Sequence, residues 1–153
     1  MSQPPPIIAV IGAGQCENSI YQLAFQVGEE IAKRGAILVC GGLGGVMEAA
    51  AKGASMAGGI TVGILPGPSS NSANPYIMIP VATDMGQARN VIIAHTADGL
   101  VAVSGGAGTL SEIGHGLKLG KPIVGLKTIA NLRGVNYVDT AQEAIARIFE
   151  LIS

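Results

Sequence analysis

Residues 99–119, GLVAVSGGAGTLSEIGHGLKL, decide the fold of this 153-residue chain. The apolar run at their start predicts a buried strand over 99–104, and the spacing after it predicts a helix over 107–119. Gly105 and Gly106 lie between the two elements, and Gly108 follows in the first turn of the helix. Because glycine is costly inside a helix or a strand, such a cluster indicates tight packing, a strained turn, or a ligand that comes close to the main chain.

The same alternation of apolar strand and helix extends along the chain. Further strands are predicted over 7–12, 36–40, 60–65, 76–81, 122–126 and near 136–138. Further helices are predicted over 19–33, from the end of GGLGG to Met56, over 85–95, and from Thr140 as the N-cap. Strands that are apolar on both faces and alternate with helices predict an α/β, Rossmann-like domain with a doubly wound, mostly parallel sheet and helices on both faces.

The domain organisation follows from these elements. We expect a short extended tail over residues 1–6 and a single domain over 7–153. The uncharged loop PGPSSNSANP, residues 66–75, is rich in turn-forming residues. It is either a lid over a ligand or a surface excursion, and the sequence does not separate the two.

Composition argues against several classes of protein. With 12% charged residues and a net charge of −1, the chain has no basic excess for nucleic acid, and its 48% apolar residues argue against disorder. Cys16 and Cys40 lack CxxC spacing and nearby histidines, so a zinc site is not expected. No apolar run has the length of a membrane span, and MSQPPP lacks the features of a signal peptide. We therefore expect a cytoplasmic protein without membrane contact.

Three glycine-rich turns follow predicted strands, at residues 12–17, 41–48 and 104–112. Each places backbone N–H groups at the start of a helix, where unpaired donors and the helix dipole stabilise an anion. Since the ends of parallel strands share one edge of the sheet, the turns predict a site for a phosphate-bearing ligand there. The candidate binding residues in these turns are Gly14, Gly41, Gly42, Gly44, Gly45, Ser104, Gly105, Gly106, Gly108 and Thr109.

A dinucleotide is not favoured. Gly12 and Gly14 fit the first two positions of GxGxxG, but Glu17 occupies the third. The second strand ends at Cys40 and Gly41, where an acidic residue would be needed for the ribose hydroxyls. None of the turns contains the GK[ST] of a P-loop. We therefore expect neither NAD nor a P-loop nucleotide as cofactor.

Two charged residues are candidates for the site. Arg89 is the only lysine or arginine between Lys52 and Lys118, and its guanidinium suits a phosphate or a carboxylate. Glu112 lies three residues beyond Thr109 and faces the same crevice. The alternatives are that Arg89 is a solvated helix residue and that Glu112 is an N-terminal acid favoured by the helix dipole.

Other polar residues near these motifs are weaker candidates. Glu48 has the same relation to GGLGG as Glu112 has to its turn, and a structural role is slightly favoured there. His95 and His115 are expected to be structural. Asp84 precedes the helix over 85–95, where it would cap the helix or contact a ligand.

The segments GGLGGVMEAAAKGASMAGGITVGILPG, ARN and GGAGTLSE together resemble the superfamily long misnamed "lysine decarboxylase-like". It contains the LOG-type phosphoribohydrolases and the molybdenum cofactor carrier proteins, and the resemblance covers residues 7–126. For a LOG-type enzyme it implies that Arg89 and Glu112 are catalytic, with a phosphate on the turn from Gly105 to Thr109.

Three departures separate this chain from the LOG-type pattern. Ser104 replaces a proline, Asn90 replaces a lysine, and Ser111 replaces the first of two glutamates. These departures favour the carrier branch, which implies a protein that binds molybdenum cofactor without covalent chemistry and serves molybdenum-cofactor enzymes. The alternative is a phosphoribohydrolase that releases a free base from a nucleoside 5′-monophosphate. The resemblance also implies a homo-oligomer, either a dimer or a tetramer.

Overall fold

A computed structural model describes residues 3–128 and 131–153 of the chain. These residues form a sheet of seven parallel strands in the order β4-β3-β2-β1-β5-β6-β7. The strands are β1 Ile7–Ile11, β2 Ile37–Cys40, β3 Thr61–Leu65, β4 Ile79–Ala82, β5 Gly99–Val103, β6 Ile123–Leu126 and β7 Asn136–Val138. The parallel, doubly wound α/β fold expected from the sequence is confirmed.

Helices cover both faces of this sheet. One face carries α1 Asn18–Lys33, α2 Val46–Met56 and α5 Ala141–Ile152. The other carries α3 Arg89–Thr96 and α4 Ala107–Lys118. The Thr140 side chain accepts a hydrogen bond of 3.1 Å from the N–H of Glu143, so the predicted N-cap of α5 is present.

The two cores follow from the alternation of side chains along each strand. In β1, Ile8 and Val10 point into the core beneath α1, α2 and α5, whereas Ala9 and Ile11 point into the core beneath α3 and α4. All four are almost completely buried. Burial on both faces explains why the central strands are continuously apolar in the sequence.

The strand order determines where a crevice opens at the edge of the sheet. The chain builds β2, β3 and β4 on one side of β1 and then returns to lay β5 against the other side of β1. A crevice opens where the winding direction changes, beyond the carboxyl ends of β1 and β5. The first and third glycine-rich turns leave the sheet at these two strand ends.

Two predicted segments begin differently from expectation. Strand β4 begins at Ile79 rather than at residue 76, because Tyr76 lies in a turn held by the side chain of Asn74. The helix predicted over 85–95 begins with a 3-10 turn over Gly86–Ala88 and is α-helical only from Arg89. Asp84 caps neither part, since the 3-10 turn begins after Met85 without a side-chain cap.

The loop over 66–75 contains a 3-10 turn at Ser70–Ser72. Beside it, Asn74 donates from its side chain to the Leu43 carbonyl at 2.8 Å and from its N–H to the Gly42 carbonyl at 2.9 Å. The end of this loop is therefore tied to the second glycine-rich turn.

Candidate functional site

A cavity of about 400 Å³ lies at the carboxyl ends of β1 and β5. The turn after β1, the start of α2, the approach to α3 and the start of α4 all contribute to its walls. Its lining residues are Gly12, Ala13, Gly14, Leu43, Met47, Gln87, Arg89, Asn90, Gly106, Ala107, Gly108, Thr109 and Glu112. The volume falls in the range of small-molecule sites, roughly 300–1,000 Å³.

The turn into α4 presents an open backbone to the cavity. A Cβ added at Gly106 or Gly108 would meet no atom within 4 Å, and neither residue has a positive φ. Thr109, which is buried, adds a hydroxyl one residue later. The unpaired N–H groups of the first turn of α4 are thus reachable by an anion, which the helix dipole also favours.

Arg89 lines the cavity from the start of α3 and is buried, with 4% of its surface exposed. Its Nη1 donates to Asn90 Oδ1 at 2.9 Å, and its Nη2 donates to the Gly41 carbonyl at 3.4 Å. Its Nε is buried without a hydrogen-bond partner. Burial lowers the pKa of Arg89, while the nearby Glu112 and Cys40 act in the other direction. A buried guanidinium with an unused donor is costly unless a ligand provides an acceptor.

Glu112 is the buried acid of the cavity, with 9% of its surface exposed. Burial raises the pKa of its carboxyl to about 7, although the charge of Arg89 opposes the shift. No described residue forms an ion pair or a hydrogen bond with this carboxyl. Burial excludes the solvated position considered for Arg89, and Glu112 lies beyond the first turn of α4, where the helix dipole acts most strongly.

The glycines of the second turn lie behind the cavity wall. Gly41 lies under Arg89, where a Cβ would come within 2.6 Å of Nη2. Gly42 and Gly45 have positive φ values of 80° and 61°, and Gly44 packs against the Gly14 carbonyl. This turn reaches the cavity through Leu43 and Met47 instead.

In the third turn, too, some residues line the cavity and others do not. Ser104 and Gly105 have positive φ values of 52° and 105°, and the Thr109 side chain packs on Gly105. Neither residue lines the cavity, so both shape the turn. The predicted residues that do line it are Gly14, Arg89, Gly106, Gly108, Thr109 and Glu112.

The weaker candidates lie outside the cavity. Glu48 accepts a hydrogen bond of 2.9 Å from the Tyr21 hydroxyl, and burial together with this bond raises the pKa of Tyr21 to about 12. His95 and Asp84 are exposed and His115 is half-buried, and none of the three lines the cavity. The structural role favoured for Glu48 agrees with its bond to Tyr21.

Several lining residues were not predicted from the sequence. Gln87 and Asn90 bring side-chain amides into the cavity, and Leu43 and Met47 bring apolar surface. The position of Asn90 next to Arg89 was the available signal for the amides. Leu43 and Met47 gave no signal, because apolar residues beside a glycine turn are equally typical of a core.

A second depression, of about 770 Å³, lies at the opposite end of the sheet among residues 3–7 and the end of α5. Its lining includes Asp98, whose carboxylate accepts a hydrogen bond of 2.8 Å from the Ile7 N–H. It contains none of the glycine-rich turns. The smaller cavity at the carboxyl ends of the strands is therefore the candidate site.

Two further findings concern other kinds of site. Among the described residues, no group of three or more histidine, cysteine, aspartate or glutamate side chains is placed to hold a metal ion. Within the same residues, no helix has the length and apolar character needed to cross a membrane.

Comparisons with known sequences identify a family model and a relative that match this chain. The model of the SLOG cluster4 family matches residues 5–149. A protein of Archaeoglobus fulgidus is 50% identical over 138 residues, which cover 90% of this chain and 91% of the relative.

Two solved structures are similar over nearly their whole length. The molybdenum cofactor binding protein of the phototrophic bacterium Rippkaea orientalis is 33% identical with a TM-score of 0.93, over 99% of this chain and 100% of that one. The molybdenum cofactor carrier protein of Chlamydomonas reinhardtii is 37% identical with a TM-score of 0.90, over 97% and 99% of the two chains.

Proposed function

Since this chain belongs to the SLOG cluster4 family, we propose that its cavity binds the molybdenum cofactor and that the protein carries or stores it. The observation that carries the proposal is the buried Arg89, whose Nε has no partner at the wall of a cavity with an open glycine turn. The two similar solved structures, which are described as cofactor binding and carrier proteins, support the choice of ligand.

The donor set of the cavity fits such a ligand. The phosphate takes the open N–H groups of the α4 turn and the Thr109 hydroxyl, and Arg89 supplies the positive charge. Gln87 and Asn90 supply amides that both donate and accept, which suits the polar edge of a pterin. Leu43 and Met47 supply the apolar surface on which a flat ring packs.

A binding experiment tests this function. Purified protein is equilibrated under anaerobic conditions with metal-free molybdopterin, and bound pterin is measured by fluorescence after oxidation. We expect Arg89→Gln to bind at least about tenfold more weakly, because charged hydrogen bonds contribute about 1.5–3 kcal/mol each. Arg147→Gln is the matched control, since Arg147 is exposed on α5 and pairs with Glu150 at 3.0 Å. Unchanged binding by Arg89→Gln contradicts the proposed site.

Hydrolysis of a nucleoside 5′-monophosphate is the second candidate function. It is favoured by the presence of Arg89 and Glu112 in one cavity, because a phosphate on the α4 turn leaves the sugar near the carboxyl. Glu112 would orient water and stabilise the positive sugar of the transition state, and Arg89 would hold the phosphate. Incubation with AMP and an N6-modified AMP, followed by chromatography of free base, tests it. Base release that is lost in Glu112→Gln establishes the hydrolase, and no release leaves the carrier.

A further inference from the structure

The charge of the cavity depends on one proton. Among the described residues that line it, Arg89 and Glu112 carry the ionisable side chains, and the others are glycines, alanines, amides, a threonine and apolar residues. With Glu112 ionised the cavity has no net charge, and with Glu112 neutral its net charge is +1. A phosphate monoester near neutral pH has a charge of about −1.5 to −2.

The position of Glu112 means that its protonation state affects the binding of an anion in the cavity. Glu112 lies three residues after Thr109 on α4, so the two side chains are neighbours on the same helix face. An anion on the first turn of α4 is therefore close to the Glu112 carboxyl. An ionised carboxylate has only acceptors and repels such an anion, whereas a neutral carboxyl donates a hydrogen bond to it.

The surroundings of Glu112 leave the carboxyl free for this role. It lines the cavity, it is nine-tenths buried, and neither Arg89 nor any other described residue forms an ion pair with it. A structural acid at this depth would have a hydrogen-bond partner in the protein. The Glu112 oxygens are not among the buried atoms that lack a partner, so they are open to the cavity, where a ligand can bond to them.

We propose that Glu112 binds the anionic group of the ligand as a neutral carboxylic acid, so that binding takes up one proton. The inference rests on the proposed function, because it concerns the same cavity and the same phosphate-bearing ligand. It assigns Glu112 the role of a specificity residue in a carrier, where it has no covalent chemistry to perform.

The direction of the pH dependence follows from the groups that face Glu112. Arg89 approaches from α3 and Cys40 from the end of β2, and the turns after β1 and β5 contribute no ionisable side chain to the lining. Burial raises the pKa of Cys40 to about 12, so its thiol stays neutral below pH 9. The pKa of Glu112 is about 7 in the free cavity, and a neighbouring anion raises it further. The contribution of Glu112 to affinity is therefore constant below pH 7 and falls above it, by at most about tenfold per pH unit.

Calorimetry of metal-free molybdopterin binding at pH 6, 7 and 8, in two buffers of different ionisation enthalpy, tests the inference. At pH 8 we expect wild-type protein to take up about one proton more than Glu112→Gln. Between pH 6 and 8 we expect it to lose about tenfold more affinity than the variant. Comparison with the variant removes the titration of the ligand itself, since that is common to both proteins. Glu150→Gln on the exposed face of α5 is the matched control and is expected to behave as wild type.

Three other outcomes of this experiment would contradict the inference or the proposed function. Equal proton uptake by wild type and Glu112→Gln overturns the inference and leaves the proposed function standing. Weaker binding by Glu112→Gln by the same factor at pH 6 and at pH 8 also overturns it, because affinity then does not depend on the proton of Glu112. No binding by the wild type at any pH overturns the proposed function and, with it, this inference.

Discussion

The glycines between α1 and α2 and the glycines at the start of α4 serve opposite purposes. A Cβ added at Gly28 would overlap the Ala50 carbonyl, and one added at Gly53 would overlap the Phe25 carbonyl. The same Cβ at Gly106 or Gly108 would meet nothing within 4 Å. The first pair leaves room for another part of the protein. The second pair leaves room that no described part of the protein uses.

The chain has 23 glycines, and this difference distinguishes glycines needed for helix packing from glycines that leave the candidate cavity open. A glycine count alone says nothing about function, because close helix packing and close approach of a ligand both require a missing side chain. The two cases separate when stability and affinity are measured on the same variants. Substitutions between α1 and α2 should cost stability, and substitutions at the cavity should cost affinity without costing stability.

The largest effect is expected from Gly28→Ala. Its methyl group would collide with backbone of α2, which moves only with the whole helix, so we expect a loss of about 3 kcal/mol in the free energy of unfolding. Urea denaturation measures this loss. Gly114→Ala is the matched control, because Gly114 is also helical but has open space around it. If Gly28→Ala is as stable as the control, the close packing of α1 on α2 is not what requires the glycine.

A smaller effect of opposite sign is expected from Glu112→Gln in the absence of ligand. The pKa of Glu112 is raised from 4.5 to about 7 in the folded state, so ionisation costs the folded state more than the unfolded one. This cost is fully present above pH 7 and disappears as the pH falls below 4.5. We expect the variant to be about 2 kcal/mol more stable than wild type at pH 8 and equally stable at pH 4.

Denaturant titrations at the two pH values check this expectation. Glu150→Gln, with its exposed side chain, should change stability by less than about 0.5 kcal/mol at both. Equal stability of wild type and Glu112→Gln at pH 8 would show that the carboxyl is solvated rather than buried.

The smallest change in stability is expected from Gly108→Ala. Alanine favours the helix, and space is available, so the free energy of unfolding should rise by about 0.5 kcal/mol. Molybdopterin affinity should nevertheless fall about tenfold, because in the proposed complex the methyl group would stand where the phosphate approaches the main chain. Gly114→Ala in the same helix should stabilise the protein and leave binding unchanged. Equal binding by the two variants would contradict a ligand at the α4 turn.

The sequence was sufficient for the order of the elements. Runs such as IIAVI in β1 are apolar at every position because both faces are buried, and all seven predicted strands are present. The start of β4 was missed because Tyr76 and Ile77 continue the apolar pattern, whereas the Tyr76 N–H donates a hydrogen bond to Asn74 Oδ1 that holds a turn there. That bond depends on tertiary position, since Asn74 is itself held by Leu43.

The sequence predicted the two charged residues of the candidate site but not the apolar and amide side chains that line it. Arg89 and Glu112 were identified by their isolation and spacing, and the resemblance to the carrier branch is confirmed by the family match and the two similar structures. The second turn was expected to present its glycines. It contributes Leu43 and Met47 to the lining instead, whereas Gly42 packs near Leu65 and Gly45 near Ala13.

Self-association stays a prediction. At the edge of the sheet, β4 and the residue before it expose Met78, Ile79 and Val81. We expect a second copy of the chain to pack at this edge, because isolated apolar edge strands are otherwise prone to aggregation.

The pairing of β1 with β5 determines when the candidate cavity forms during synthesis of the chain. It joins Ile8 to Gly99, so the two walls of the cavity come from segments separated by roughly ninety residues of chain. During synthesis, strands β2, β3 and β4 are therefore made before the residues of the second wall. Because Thr109 is made after these strands, the candidate cavity is complete only late in synthesis, and a ligand that needs both walls would bind then or afterwards.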